Sequence, residues 1–396
     1  MVTMLNSSKI IEILQQTLSY DGKLIALHEP HFTGNEWNYV KECIDSGWVS
    51  SVGNFVDKFE FDLAHFTGAK QAIATVNGTS ALHICFLLAG VVSGDEVLVP
   101  TLTFVGTVNA ISYCGATPHF IDSEKVHLGI DPIALNDYLR DSTTIKNGVC
   151  INRVTNRNIR ALCVMHTLGH PVDLDAIEEV CQKYHLILIE DAAEALGSYY
   201  KGTHVGHRGL LGALSFNGNK IITTGGGGAI LTNDIHLAKK AKHITTTAKL
   251  QHPWQFQHDQ VAYNYRLPNI NAALGCAQLE KITEFLHAKR LLMKQYYAAF
   301  SMVNDVQLIQ EPSYAKSNYW LHALLLDESS STFRDNLLES IMASGIMVRP
   351  IWNLQHTLPM YQHCPHMPLN NAEELVKRLI KIPSSPQLIR RTPYDK

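Results

Sequence analysis

Four stretches of the chain carry residue types whose spacing could do chemistry. Asn77-Gly78-Thr79-Ser80 reads as a strand-to-helix turn. Its glycine would let backbone approach a ligand closely, and its hydroxyls and N–H groups at a helix start suit a phosphate, although the same residues also make a plain turn with an N-cap. Ile187-Leu188-Ile189-Glu190-Asp191 is an apolar strand ending in carboxylates, followed by Ala192-Ala193-Glu194. An acid at such an enclosed edge needs a cationic partner, while the ordinary reading is a helix cap by Asp191. Ser215-Phe216-Asn217-Gly218-Asn219-Lys220 is a strand end and tight turn presenting one lysine, and Gly225 to Gly228 follow as a glycine run. Such a run marks backbone that passes close to something. Phe104, in Pro100-Thr101-Leu102-Thr103-Phe104, places an aromatic ring just after a strand.

Taken together the four stretches name one ligand. A phosphate cradle, a strand-end Asp, a Lys on a later strand end and a flanking aromatic are what pyridoxal phosphate requires. The Lys forms the Schiff base, and the Asp keeps the pyridine nitrogen protonated so that the ring can act as an electron sink.

The elements around these residues must bring them to one place. Short β-like runs at 71–76, 96–99, 118–122, 161–166, 186–190, 213–216 and 229–232 alternate with helical patterns. This alternation predicts an α/β fold with a mostly parallel sheet of about seven strands, whose carboxyl ends are where open sheets of this kind hold ligands. After residue 250 a long helical stretch over 269–300 leads into a smaller α+β unit. There, β-like runs at 319–326 and 346–351 alternate with helices over 332–344 and 371–379. The expected division is an N-terminal extension at 1–30, a large cofactor-binding domain at 31–260, and a connecting helix with a small C-terminal domain at 261–396.

The chain of 396 residues is 46% hydrophobic and 17% charged, which fits a globular protein rather than a disordered or fibrous one. Its net charge of −3 gives no chain-wide reason to bind nucleic acid or a membrane surface. No apolar run is long enough for a membrane span, the opening MVTMLNSSKIIEILQQ does not read as a secretory signal, and the eight cysteines form no Cys-x-x-Cys pair. The expectation is a cytoplasmic protein with reduced thiols. His363, Cys364 and His366 are close in sequence, but their spacing matches no recurrent zinc pattern, so the expectation is a His-rich surface loop and no metal.

The residues also resemble a known family, the sugar aminotransferases of the DegT/DnrJ/EryC1/StrS group. The likeness runs from about Glu29 to the end, through Gly47-Trp48-Val49-Ser50-Ser51-Val52-Gly53, Asn77-Gly78-Thr79-Ser80-Ala81-Leu82, Glu190-Asp191-Ala192-Ala193-Glu194, Ser215-Phe216 to Lys220, and Tyr263-Asn264-Tyr265-Arg266-Leu267. One departure is Gly226, where many relatives carry Glu.

The resemblance implies the fold type I arrangement of pyridoxal phosphate enzymes and a homodimer with shared active sites. Lys220 would carry the cofactor and move the proton, and Asp191 would pair with the pyridine nitrogen. Gly78 belongs to the cradle in which Thr79, Ser80 and Ser215 would hold the phosphate. Phe104 would stack on the ring, Glu194 would lie beside the cofactor's phenolic oxygen and the sugar, and Asn264 would reach the neighbouring subunit's cofactor.

The implied reaction moves the amino group of L-glutamate, through the pyridoxamine form of the cofactor, to a nucleotide-linked 4-keto-6-deoxy sugar. That sugar would be of the N-acetylhexosamine type on UDP or GDP, on the way to a surface polysaccharide or a nonulosonic acid. Within the family the likeness leans toward the perosamine, legionaminic acid and bacillosamine branches. His322, Trp320 and Arg349 are candidates for holding the nucleotide, and His322 also reads as a packed strand residue. Amination at C3, and a cofactor-binding regulator without turnover, are the alternatives. A dehydratase of the same family would carry His in place of Lys220.

Overall fold

The computed structural model describes residues 7–389. The first six residues of the opening segment and the last seven of the C-terminal unit lie outside the described residues. A central sheet runs in the order Gln71–Thr75, Gly228–Thr232, Leu211–Ser215, Ile187–Asp191, Asn158–Met165, Glu96–Pro100, Thr117–Ile121. All pairs along this path are parallel except those of Gly228–Thr232, which is antiparallel to both its neighbours. The seven expected strands are all present. Two further strands, Thr143–Lys146 and Val149–Asn152, form a hairpin on the start of Asn158–Met165 and bring the sheet to nine. Their short, half-polar runs Thr-Thr-Ile-Lys and Val-Cys-Ile-Asn carry too little apolar pattern to stand out in sequence.

The helix Gly78–Leu88 is enclosed on nearly every side, as its sequence GTSALHICFLL dictates, and packs on the strands that meet at the site. The connecting stretch is two helices, Asn269–Glu280 and Ile282–Phe300, broken at Lys281 where the backbone turns to φ −101 and ψ −1. The apolar pattern runs through the break, so the sequence reads as one helix.

The smaller sheet has the order Val306–Leu308, His322–Leu326, Leu379–Ile382, Arg349–Pro350, all antiparallel. The expected strand over 346–351 shrinks to Arg349–Pro350, because Pro350 and the exposed edge limit pairing. This sheet has two apolar faces. Leu324, Leu326, Ile380 and Ile382 enter a second core cluster together with Ile10 and Leu14 from the helix Ser7–Thr17 and Leu18 just after it. Ala323, Leu325 and Leu379, on the opposite face by strand alternation, join the main core of the large sheet. No described helix is long and apolar enough to cross a membrane.

Candidate active site

The carboxyl ends of the parallel strands open on a cavity of about 380 Å³. Its floor is built by register. Thr75 and Ser215 both pair with Gly228, so three chain segments meet in one row at the sheet's end. A Cβ on Gly228 would stand 2.5 Å from the Asn77 carbonyl carbon, and one on Gly78 would stand 2.9 Å from the Ser215 Cβ. Gly228 is therefore there because backbone crosses backbone, as the run at 225–228 suggested, and Gly78 because the Ser215 side chain lies against it. Asn77 caps the helix Gly78–Leu88, its Oδ1 accepting from the Ser80 N–H at 2.8 Å. Gly78, Thr79 and Ser215 line the cavity, while Ser80 is buried just behind. A helix N-terminus with two hydroxyls beside it is an anion cradle.

Asp191 ends its strand opposite Met165 on one side and Ala213 on the other, and its carboxyl faces the cavity. It is 2% exposed, accepts from the Thr107 hydroxyl at 2.6 Å and the Ala193 N–H at 3.1 Å, and makes no ion pair with any described residue. Burial raises its pKa, which Thr107, Ala193 and the charge of Lys220 oppose. No helix follows Asp191, so the Ala193 N–H bond holds a turn rather than the helix cap the sequence allowed for, and the two carboxylate oxygens accept one bond each. Glu190, one residue earlier, points the other way by strand alternation and is bound by the loop at 206–209.

Lys220 reaches the same cavity from the turn after Leu211–Ser215. Its Nζ lies 3.9 Å from the Trp320 ring centre and 3.4 Å from Glu194 Oε1. Trp320 is fixed in turn, its Nε1 donating to the Asn219 carbonyl at 2.7 Å. Glu194 is almost fully enclosed, with one backbone donor, the Leu168 N–H at 2.9 Å. Burial pushes its pKa up against the pull of Lys220, to about 7. Leu168 holds a left-handed backbone, φ 56 and ψ 15, a costly conformation for a leucine that aims its N–H at this carboxylate. Phe104 is half exposed at the cavity, and Gly106 lets its ring and the Thr79 hydroxyl come close.

The structure thus brings Gly78, Thr79, Phe104, Asp191, Glu194, Ser215, Lys220 and Trp320 to one cavity. It places two expected residues elsewhere, and Asn264, expected to serve a neighbouring subunit, does not line this cavity. His322 is buried on its strand between the Tyr296 and Tyr319 rings. Arg349 is exposed on the edge strand and donates to the Val348 carbonyl. Asn264 is exposed and bridges to Thr246 through backbone. In the His-rich loop His366 bonds the Met367 carbonyl, and no group of metal-ligating residues converges among the described residues. Sequence reasoning missed Thr107, whose signal was its position one turn into the helix that Phe104 begins. It also missed Trp352, which lines the cavity from a loop with no sequence mark.

A pyridoxal phosphate fits this donor set: the buried Asp191 carboxylate has no cation of its own, the anion cradle lies at a helix N-terminus, and the Lys220 amine opens on the same space.

Comparison with known proteins agrees. The DegT/DnrJ/EryC1/StrS aminotransferase family model matches residues 30–392. The chain is 38% identical to the GDP-perosamine synthase of Escherichia coli O157:H7 over 92% of its length and 94% of that protein. It is 35% identical to the GDP-perosamine synthase of Vibrio cholerae over 92% and 95%. Among solved structures it is similar to Helicobacter pylori PseC, an aminotransferase involved in the biosynthesis of pseudoaminic acid. That match has a TM-score of 0.82 and 26% identity, and covers 91% of this chain and 94% of that one. Matched span, fold and strand-end cavity together make this chain a member of the DegT/DnrJ/EryC1/StrS aminotransferase family, a pyridoxal phosphate-dependent sugar aminotransferase.

Proposed function

We propose that the chain transfers the amino group of L-glutamate to a GDP-linked 4-keto-6-deoxy sugar, giving a 4-amino-4,6-dideoxy sugar nucleotide. The observation that carries the chemistry is the Lys220 amine and the buried, cation-free Asp191 carboxylate on one cavity with a helix N-terminus at its end. The choice of sugar is supported by likeness to proteins named GDP-perosamine synthase.

In this reading Thr79, Ser80 and Ser215 hold the cofactor's phosphate, Phe104 covers its ring, and Asp191 holds the proton on its pyridine nitrogen. When bound, the cofactor supplies an electron sink for the carbon that loses its proton. Lys220 binds the cofactor, then takes the proton from the donor's α-carbon and returns it on the other side of the exchange. Its approach is set by the Trp320 face and by Glu194, whose carboxyl can hold or release a proton near neutral pH. Trp320 and Trp352 wall the space where an acceptor sugar would lie. The exposed position of Asn264 suits a contact with a second subunit, in a homodimer whose sites are shared.

The test is to incubate the protein and pyridoxal phosphate with 15N-labelled L-glutamate. GDP-linked 4-keto-6-deoxy sugar, its UDP-linked N-acetylhexosamine counterpart and a 3-keto isomer are supplied in turn, and products are read by mass. Labelled amine at C4 of the GDP sugar is the expected result. Amination of only the UDP or the 3-keto sugar would replace the acceptor, and normal cofactor loading without transfer to any of them would favour a non-catalytic regulator.

A further inference from the structure

Lys381 is a charged residue buried on the face of the small sheet that turns toward the large one. The strand Leu379–Ile382 alternates. Ile380 and Ile382 enter the second core, and Leu379 lies with Ala323 and Leu325 on the face toward the large sheet. Lys381 shares that second face and pairs in register with Ala323 on one side and Arg349 on the other. It is 7% exposed, and its amine makes no hydrogen bond or ion pair with any described residue. Its Nζ lies 4.9 Å from the ring centre of Trp352, which lines the active-site cavity. An ammonium held among buried residues without a bonded carboxylate is costly, and an anion bound beside it would offset that cost.

The surroundings say where that anion sits. The charges acting on Lys381 are those of Glu194, which attracts it, and of Lys220 and Arg349, which repel it. Burial, with these neighbours, brings its pKa down to about 8. Two lysines thus stand against two tryptophans of one cavity, Lys220 on Trp320 and Lys381 on Trp352, with Glu194 acting on both.

Three substrate groups could supply an anion, the α-carboxylate and the side-chain carboxylate of the amino donor and the diphosphate of the sugar nucleotide. The side-chain carboxylate stands two methylenes farther from the reacting carbon. The α-carboxylate is bonded to the same carbon as the amine that reacts beside Lys220. The diphosphate is attached across the breadth of the sugar ring from the keto carbon. We propose that Lys381 binds the α-carboxylate of the amino donor and so positions its α-carbon hydrogen toward Lys220. This inference rests on the transaminase reading of the same cavity.

The experiment uses the cofactor-loaded protein, Lys381→Met and Lys381→Arg. In the first half-reaction, the L-glutamate concentration that converts half the cofactor to its pyridoxamine form is read from absorption. It should rise about tenfold or more in Lys381→Met, the size expected for one lost charge-assisted hydrogen bond. Lys381→Arg should stay within about threefold of the original protein. Calorimetric binding of glutarate, which has no amine and cannot react, should weaken by a similar factor in Lys381→Met. The KM for the sugar nucleotide should not move.

Unchanged glutamate half-saturation in Lys381→Met would overturn the proposal. So would a rise confined to the sugar nucleotide's KM, which would assign the lysine to the diphosphate. If Lys381→Met loses its fold, a large loss of glutamate affinity in the folded Lys381→Arg would also count against it, since the charge is kept. Failure of the unmutated protein to convert with glutamate at any concentration would instead sink the transaminase reading, while the glutarate measurement would still report on Lys381.

Discussion

Glu190 and Glu194 stand one helical turn's worth of chain apart and are both enclosed, at 0% and 3% exposure. Their partners differ completely. Glu190 accepts N–H groups from Gly206, Arg208 and Gly209, each at 2.7 Å, and lies 3.0 Å from the His166 ring nitrogen. Burial alone would raise its pKa, but the His166 ring and these backbone donors outweigh it and hold it at about 2. Glu194 has one backbone donor and a lysine at 3.4 Å, and burial wins, leaving it at about 7. The fold completes the carboxylate that ties the loop at 206–209 to the sheet. It leaves incomplete the one that faces the cavity, where a group able to change protonation near neutral pH is of use.

The largest expected effect lies on the structural side. Glu190→Gln places an amide N–H₂ among donors that need an acceptor, so folding stability should fall by about 3 to 5 kcal/mol in urea unfolding. A loss below about 1 kcal/mol would mean the loop holds itself. The second test is acid. A carboxylate held at about 2 instead of its ordinary 4.5 contributes stability that is full above 4.5 and is lost as pH falls from there toward 2. The protein should lose on the order of 3 kcal/mol across that window, and Glu190→Gln should lack this slope.

Asp191 extends the comparison to a third buried carboxylate, held by Thr107 and Ala193 but turned to the cavity. Asp191→Asn should leave the melting temperature of the cofactor-free protein close to that of the unmutated one and lower turnover by about 100-fold or more, since an uncharged amide cannot hold a ring proton. Equal turnover would remove Asp191 from the chemistry.

Glu194→Gln has the smallest expected effect on turnover and gives the sharpest contrast with Glu190→Gln. With its pKa raised to about 7, Glu194 disfavours the folded state progressively as pH rises from 4.5 to 7. The amide should therefore match the original protein in stability near pH 4.5 and exceed it by up to about 3 kcal/mol at pH 8. Turnover should fall about tenfold, with the limb of its pH profile near 7 lost. A destabilised Glu194→Gln would erase the contrast.

Much of this arrangement was legible in sequence because it follows from local rules. Short apolar runs, most of them ending in Gly, Pro, Asp or Asn, marked the seven strands, and strand order put Asp191, Ser215 and the Asn77 turn at one end of the sheet. Glycines 225 to 228 marked a close approach, and Gly228 against Asn77 is that approach. What could not be read depends on contacts between distant segments. Lys381, in Leu-Ile-Lys-Ile, looks like the solvent-facing residue of an edge strand, and only packing of the small sheet on the large one buries it. His322 and Arg349 have the right residue types for a nucleotide, but alternation turns the first into a core and leaves the second on an outer edge. The role of Glu190 depends on a loop sixteen to nineteen residues later, which no periodicity announces.

The central claim is that Lys220 and Asp191 form a pyridoxal phosphate site that accepts an amino group. The most direct measurement is the near-ultraviolet and visible absorption spectrum of the protein with pyridoxal phosphate, before and after L-glutamate, beside Lys220→Ala. The account predicts a yellow band from lysine-bound cofactor that glutamate converts to the pyridoxamine form, and no such band in Lys220→Ala. A band that persists in Lys220→Ala, or one in the unmutated protein that glutamate leaves unchanged, would contradict it.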